Sequence, residues 1–308
     1  MGGSGGSFFG RPASEVSQLL KESVERTHDA VFDSQISETL TSLLSSYNGR
    51  NTQETAERLE TIKGILGDAL DGTVDTLFGG SVAKHTFVDG ISDVDSLLIL
   101  DKTDLADTRP RDAVTLIAER LRAALKDGEI VTAGTIAVTV TYPGGNELQL
   151  VPALRADGVL KVPAWSNNAW SEIDPQKFND GLSKRNSECG GKVIPTIKLA
   201  KAICSLLPED LRPSGYHLES LAVGAFRGYQ GEKSLHKMLP YFFEKARTLV
   251  QQPMVDRSGQ SVHVDDSLGP ANSASRIQLG LALDRIARRM SHATAAKSKA
   301  RWMELFGE

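Results

Sequence analysis

The sequence predicts an α/β (α+β) fold with two lobes, a mixed α/β half followed by a helical half. Before residue 165, segments with the period of strands alternate with segments that have the period of helices. From Asp174 onward, the apolar residues recur almost only at helical spacing. We therefore expect three parts: an added flexible linker at 1–7, a core with N-terminal helices at 8–165, and a helical domain at 166–308.

Two helices are expected at the start of the first half. Apolar residues recur at helical spacing over 14–47, and the Asn-Gly turn at 48–49 ends this segment. Asn51 then offers an N-cap, with Glu54 in the capping-box position, for a helix that ends near residue 70. The short apolar stretch VDTLF leads from this helix into a Gly-Gly-Ser turn.

Strands and one further helix complete the first half. A strand is expected at 91–100, and its later residues are apolar on both faces, as in a sheet that is covered on both sides. A helix follows at 112–126, where apolar residues share one face. The stretch 129–142 is rich in Val, Ile and Thr and is strand-like, and 147–154 forms another short strand after a Pro-Gly-Gly turn.

The composition is that of a soluble globular protein, with 308 residues of which 40% are hydrophobic and 24% charged. No apolar run approaches the roughly 18 residues of a membrane span, and no secretory signal is recognisable, so we expect a cytoplasmic protein without membrane contact. Cys189 and Cys204 fit a reducing compartment, match no zinc spacing and are expected to be buried. The net charge of -4 argues against a large nucleic-acid footprint, so no strong nucleic-acid binding is expected.

Two aspartates on either side of one valine begin the strand at 91–100. Alternation places Asp93 and Asp95 on one face, about 6.5 to 7 Å apart along the backbone, so that they can converge on one cation or a pair of cations. Mg²⁺ prefers a few carboxylates together with phosphate oxygens and water. A pair of such ions suits phosphoryl transfer, whereas an ordinary strand start after a turn is the alternative reading of the two aspartates.

A turn of small residues precedes the aspartates by about a dozen residues. Gly79 and Gly80 let backbone N–H groups approach a triphosphate closely, and the Ser81 hydroxyl can donate a further hydrogen bond. Each motif alone carries little weight. Their order, their spacing and the apolar strand that follows together predict a nucleotide site.

A third acidic ligand is expected on a neighbouring strand, in the stretch NELQLVPAL. Glu147 and Gln149 share a face there. Gln149 is neutral and a poor metal ligand, so Glu147 is favoured as the third catalytic ligand and Gln149 is the alternative third position. Glu147 as an ordinary exposed strand residue remains an open alternative.

At this point the chain resembles a known family. The block GGSVAKHTFVDGISDVDSLLIL is similar to the nucleotidyltransferase signature of the polymerase-β superfamily, and the later segments IPTIKLAKA and SGYHLESLA resemble the CD-NTases, bacterial relatives of cyclic GMP-AMP synthase and oligoadenylate synthase. The resemblance runs from about Ser14 to the C-terminal helices. It implies a polymerase-β-like nucleotidyltransferase core, with the active site in the cleft between this core and the helical domain.

The resemblance assigns roles to residues of both halves. Gly80 and Ser81 match the phosphate-holding pair, and Asp93 and Asp95 match the metal ligands. The departure is Gln149, where many relatives carry an aspartate.

In the helical half, the resemblance implies that Lys198, or Lys201 on the same helix, neutralises triphosphate charge. Ser214 is implied to bind a phosphate and Tyr216 to stack on a base. The open alternatives are a solvated helix face for the lysines, a helix N-cap for Ser214 and an ordinary half-buried aromatic for Tyr216.

The implied function is the joining of ribonucleoside triphosphates, ATP among them, into a cyclic di- or trinucleotide messenger with Mg²⁺ (or Mn²⁺) and release of pyrophosphate. In relatives such messengers activate an effector in anti-phage systems of the CBASS type, in which associated regulatory proteins are expected. Two alternatives stay open. The enzyme transfers nucleotides to RNA 3′ ends or to a small molecule, or the chain is a nucleotide-binding pseudoenzyme that acts through a partner.

Overall fold

The structure is a computed structural model. It describes residues 13–47, 52–70, 73–78, 84–88, 94–101, 108–125, 128–156, 158–164, 168–259 and 261–308.

A mixed sheet organises the first half of the chain. Its strands are β1 (Thr73–Phe78), β2 (Val94–Asp101), β3 (Ile130–Ala133), β4 (Val138–Thr141), β5 (Glu147–Ala156), β6 (Val159–Pro163) and β7 (Trp170–Ile173). The order β1-β2-β5-β4-β3 runs across the described part of the sheet, while β6 pairs with the end of β5 and with β7. β2 and β5 are parallel and the other pairs are antiparallel, which confirms the predicted mixed sheet.

Both faces of the central strands are buried, as their apolar sequences predict. Leu98 and Leu100 of β2 pack in a core with α2 (Thr52–Ala69) and α3 (Pro110–Ala124). Leu97 and Ile99 face the other side, where they pack with residues of β5 and β6. The unbroken apolar run is therefore explained by cover on both faces.

The other long regular elements of the described chain are helices. Besides α2 and α3 they are α1 (Ala13–Tyr47), α4 (Pro175–Glu188), α5 (Val193–Cys204), α6 (Gly215–Ala225), α7 (Leu235–Leu249), α8 (Ala274–Ala295) and α9 (Lys299–Met303). The helices other than α2 and α3 share one core, which contains both buried cysteines. No helix in the described ranges is both long and apolar enough to cross a membrane.

The first helix belongs to the core of the helical half. Phe32, Ile36 and Leu40 of α1 are buried in the same cluster as α5, α6 and α7. The buried residues of α2, in contrast, lie in the core of the sheet. Sequence spacing predicts both helices, but it does not specify which core each one joins.

Three strands have no counterpart among the predicted elements. β1 is the stretch that was expected only to lead into the turn, and β6 and β7 are short strands at the end of the sheet. β7 reaches Ile173, so the sheet continues past residue 165. The domain division at that residue stays a prediction.

Candidate active site

The N-terminal ends of β2 and β5 lie side by side. In their parallel register the backbone of Asp95 is opposite Gln149, and Val94 is opposite Leu148. On the other edge of β5, Gln149 pairs with Thr139 of β4. The predicted acidic strand and the predicted third-ligand strand are therefore neighbours in the sheet.

Glu147 and Gln149 are half-buried and alternate with the buried residues Leu148 and Leu150. Leu148 and Leu150 point into the core that α2 and α3 cover, so Glu147 and Gln149 belong to the opposite face. One carboxylate oxygen of Glu147 accepts a hydrogen bond of 3.1 Å from the hydroxyl of Thr141. The other oxygen is not engaged by that bond, and each carboxylate oxygen has more than one lone pair.

Several predicted residues lie outside the described residues: Gly79, Gly80, Ser81, Asp93 and the side chain of Asp95. Within the described part of the chain, no group of three or more His, Cys, Asp or Glu side chains is arranged to hold a metal ion. The metal roles of Asp93, Asp95 and Glu147 stay predictions.

Between these two motifs, residues 84–88 are described, and they contact the helical half. The carboxylate of Glu219 on α6 is 1% exposed and accepts hydrogen bonds from the Lys84 ammonium and the Thr86 hydroxyl. Lys201 on α5 is also buried. Its ammonium donates to Glu219 (2.9 Å) and to the carbonyl oxygen (3.1 Å) and hydroxyl (3.3 Å) of Thr86.

The charges of this cluster explain the state of its carboxylate. Burial alone raises the pKa of Glu219, but the positive charges of Lys201 and Lys84 outweigh burial, so the pKa lies below its usual value. Glu219 is therefore ionised at neutral pH. The predicted role of Lys201 at a triphosphate stays a prediction, and in this structure its ammonium contacts Glu219 and Thr86.

Lys198 and Ser214 lie close to the same cluster. Burial, and then the charge of Lys201, lower the pKa of Lys198, which is half-buried. The Ser214 hydroxyl accepts a hydrogen bond of 3.1 Å from the backbone N–H of His217, which is the N-cap geometry of α6. The phosphate roles of both residues remain predictions.

Tyr216 sits at the first turn of α6 among aromatic, cationic and acidic partners. Its ring meets Phe178 of α4 edge to face at 4.8 Å, and the Lys84 ammonium lies 4.7 Å from the ring centre. Its hydroxyl donates a 2.7 Å hydrogen bond to Asp256. Burial raises the pKa of Tyr216 far above the physiological range, so the hydroxyl remains a donor.

The structure thus gathers Lys201 and Tyr216, of the predicted site residues, around Glu219 and Lys84. Sequence reasoning missed Lys84, Thr86, Glu219 and Asp256. Glu219 carried a signal, since it is the one acid in the apolar helix sequence YHLESLAVGA, where an ionised group requires a cationic partner. Asp256 lies in a loop, where nothing in the sequence pattern indicated its contact with Tyr216.

A family comparison identifies the fold and the type of site. Residues 34–186 match the model of the Second Messenger Oligonucleotide or Dinucleotide Synthetase domain, abbreviated SMODS. Residues 34–186 of the chain belong to this family. As the resemblance implied, the chain is a nucleotidyltransferase of the CD-NTase type. The match extends from α1 to α4 and so includes the whole described sheet.

Solved structures of other CD-NTases share the fold. CdnC of E. coli MS115-1 with ATP has 21% sequence identity and a TM-score of 0.61, over 83% of this chain and 91% of that chain. The Vibrio cholerae cyclic AMP-GMP synthase DncV has 13% identity and a TM-score of 0.59, over 96% and 90%. CdnG of Bradyrhizobium diazoefficiens with GTP has 14% identity and a TM-score of 0.61, over 79% and 86%. A search of curated proteins finds no match to this CD-NTase.

Proposed function

We propose that this CD-NTase joins ribonucleoside triphosphates into a cyclic di- or trinucleotide messenger and releases pyrophosphate. The observation that carries the proposal is the parallel register of β2 and β5. It aligns Asp95 with Gln149, two residues from Glu147, in a chain whose SMODS match is to a synthetase domain of oligonucleotide or dinucleotide messengers.

The donors at this end of the sheet fit Mg²⁺, with Mn²⁺ as the alternative ion. Glu147 offers carboxylate oxygens on the face that α2 and α3 leave open, and Gln149 offers an amide oxygen beside it. A carboxylate is the hard oxygen ligand that Mg²⁺ prefers, and the neutral amide oxygen of Gln149 is the weaker ligand of the two. Asp93 and Asp95 are the proposed principal ligands, with Glu147 third. When bound, the ion neutralises the negative charge of the triphosphate.

The remaining residues bind and orient the nucleotide. Gly80 and Ser81 would hold phosphate oxygens through backbone N–H groups and a hydroxyl. Lys198 and Lys201 would add positive charge, and Ser214 a hydrogen bond at the N-terminus of α6. The ring of Tyr216 would stack on a base, which contributes about 1–3 kcal/mol in comparable contacts.

The proposed biological role is anti-phage signalling of the CBASS type, in which the product activates an effector in the bacterial cytoplasm. A regulatory partner is proposed as well. The support is indirect: the E. coli protein CdnC, which shares this fold, has been solved as a complex with HORMA-deltaN.

The test is mass spectrometry of the products formed from all four NTPs with Mg²⁺ or Mn²⁺. Wild-type protein is expected to give a cyclic product without any primer. The double variant Asp93→Asn/Asp95→Asn should give none while keeping its melting temperature, and Asp112→Asn, at an exposed aspartate of α3 that pairs with Arg109, is the matched control. A product that appears only with added RNA selects the RNA-end alternative. NTP binding without turnover selects the pseudoenzyme, and undiminished product from the double variant contradicts the site.

A further inference from the structure

Residues 84–88 form a bridge between the two cores of the protein. Phe87 packs against the core of the sheet, and Val88 is fully buried. Lys84 and Thr86, on the same short segment, are bonded to Glu219 in the helical half. The segment is therefore fixed from both sides.

The segment therefore links the two sides of the candidate site. Glu147 and Gln149 lie on β5 of the sheet, whereas Lys198 and Tyr216 lie on α5 and α6 of the helical half. A shift of the segment changes the position of one side relative to the other.

The contacts that fix the segment converge on one buried group. Glu219 accepts hydrogen bonds from Lys84, Thr86 and Lys201, and Lys201 also bonds the Thr86 carbonyl oxygen. Each hydrogen bond to an ionised, desolvated carboxylate is stronger than its neutral counterpart. The two lysines outnumber the carboxylate, so its removal leaves two buried positive charges beside each other.

We propose that Glu219 is a positioning residue for nucleotidyl transfer. It holds residues 84–88 and through them fixes the sheet that carries Glu147 and Gln149 relative to the helices that carry Lys198 and Tyr216. Glu219 does not touch the reacting atoms in this account. The inference rests on the proposed function, and it adds that a buried ionic contact sets the relative position of the two sides of the site.

The expected kinetic signature is a loss of kcat with little change in KM. A misplacement of about 1 Å can reduce a rate roughly 100-fold, because the reacting groups no longer align. Tyr216 keeps its contacts with Phe178 and Asp256 when the Glu219 carboxylate is removed, so we expect KM for NTPs to change much less than kcat.

Three variants separate positioning from stability. Glu219→Gln should lower both the melting temperature and kcat. Glu219→Gln/Lys84→Met restores the original net charge of the cluster, so it should recover much of the melting temperature but not kcat. Leu283→Ala, which truncates a fully buried side chain of α8, a helix that supplies none of these hydrogen bonds, should lower the melting temperature while the folded protein keeps its kcat.

Amide hydrogen exchange of residues 84–88 gives a readout that does not need activity. Exchange there should be much faster in both Glu219 variants than in wild-type protein and unchanged in Leu283→Ala. Recovery of kcat together with melting temperature in the double variant overturns the proposal. A loss of kcat in Glu219→Gln, with residues 84–88 exchanging at the wild-type rate, overturns it as well. A wild-type protein without product counts against the proposed function instead, and the exchange comparison still decides whether Glu219 holds the segment.

Discussion

The hydrogen bonds of the Asp256 carboxylate predict how much stability the protein loses when its charge is removed. One of its oxygens accepts from the Tyr216 hydroxyl (2.7 Å), the Ser258 N–H (2.8 Å) and the Ser258 hydroxyl (2.7 Å). The other accepts from the N–H and hydroxyl of Ser261, each at 3.0 Å. Burial raises the pKa of Asp256, but these hydrogen bonds outweigh burial and hold the pKa below its usual value. Asp256 therefore joins Tyr216 to the loop that follows α7.

The perturbation is Asp256→Asn, which keeps the shape of the side chain. Its amide oxygen can replace the oxygen that faces Tyr216 and Ser258, but without the charge. Its NH₂ group then faces the backbone N–H of Ser261, which loses its acceptor. A buried unsatisfied donor costs about 1–3 kcal/mol, and a hydrogen bond to a charged group contributes about 1 kcal/mol more than a neutral one. We expect the free energy of unfolding to fall by roughly 3 kcal/mol.

Urea denaturation measures this loss, and the matched control is Asp266→Asn. Asp266 is an exposed carboxylate nearby in the sequence and pairs with His263 at 2.9 Å. An exposed substitution of this kind should change stability by less than about 0.5 kcal/mol. NTP affinity should also weaken in Asp256→Asn, since the hydrogen bond that orients Tyr216 becomes weaker. Equal stability of the two variants would refute the reasoning.

The remaining predictions concern pH, the first helix and the third metal ligand. Burial is the main cause that lowers the pKa of His217 from 6.5 to about 4, so the unfolded state takes up a proton first and stability is lost as pH falls from 6.5 toward 4. The loss is roughly 3 kcal/mol, and the urea midpoint of His217→Gln should not show it. An equal loss of stability in both proteins would contradict the assignment to His217. Ile36→Ala should cost about 2–5 kcal/mol and speed amide exchange in α7 before the strands, because Ile36 is buried in the helical core; faster exchange confined to the sheet would contradict that placement. Gln149→Asp should lower the Mg²⁺ concentration for half-maximal activity roughly tenfold, as about 1.4 kcal/mol of added binding beside Asp95 would do, and an unchanged Mg²⁺ dependence would exclude position 149 as a ligand.

The sequence was sufficient to predict the strands that carry the site. β2 and β5 are long and buried on both faces, so their apolar runs are clear. β6 and β7 have five and four residues, too few to display a period, and Pro163 weakens the strand pattern further. The sequence also could not predict which core α1 joins, because the partners of this helix lie about 200 residues away in the chain, as the contact between Ser37 and His236 illustrates.

The same limit applies to the candidate site: its local motifs could be predicted from the sequence, whereas its long-range contacts could not. Local motifs predicted the acidic strand and the neighbouring strand with Glu147, which the sheet places side by side. The contacts of Glu219 were not predictable, since its partners Lys84 and Lys201 are 135 and 18 residues away in the sequence. A lone acid in an apolar helix indicates that a cation faces it, but with 35 basic residues in the chain it does not indicate which one.

A crystal structure with a non-hydrolysable NTP and Mg²⁺ tests the central claim most directly. The account predicts Mg²⁺ bound by the carboxylates of Asp93 and Asp95, with the triphosphate against Gly80 and Ser81. Carboxylates directed away from the nucleotide, or a nucleotide bound elsewhere without contact to β2, would contradict it.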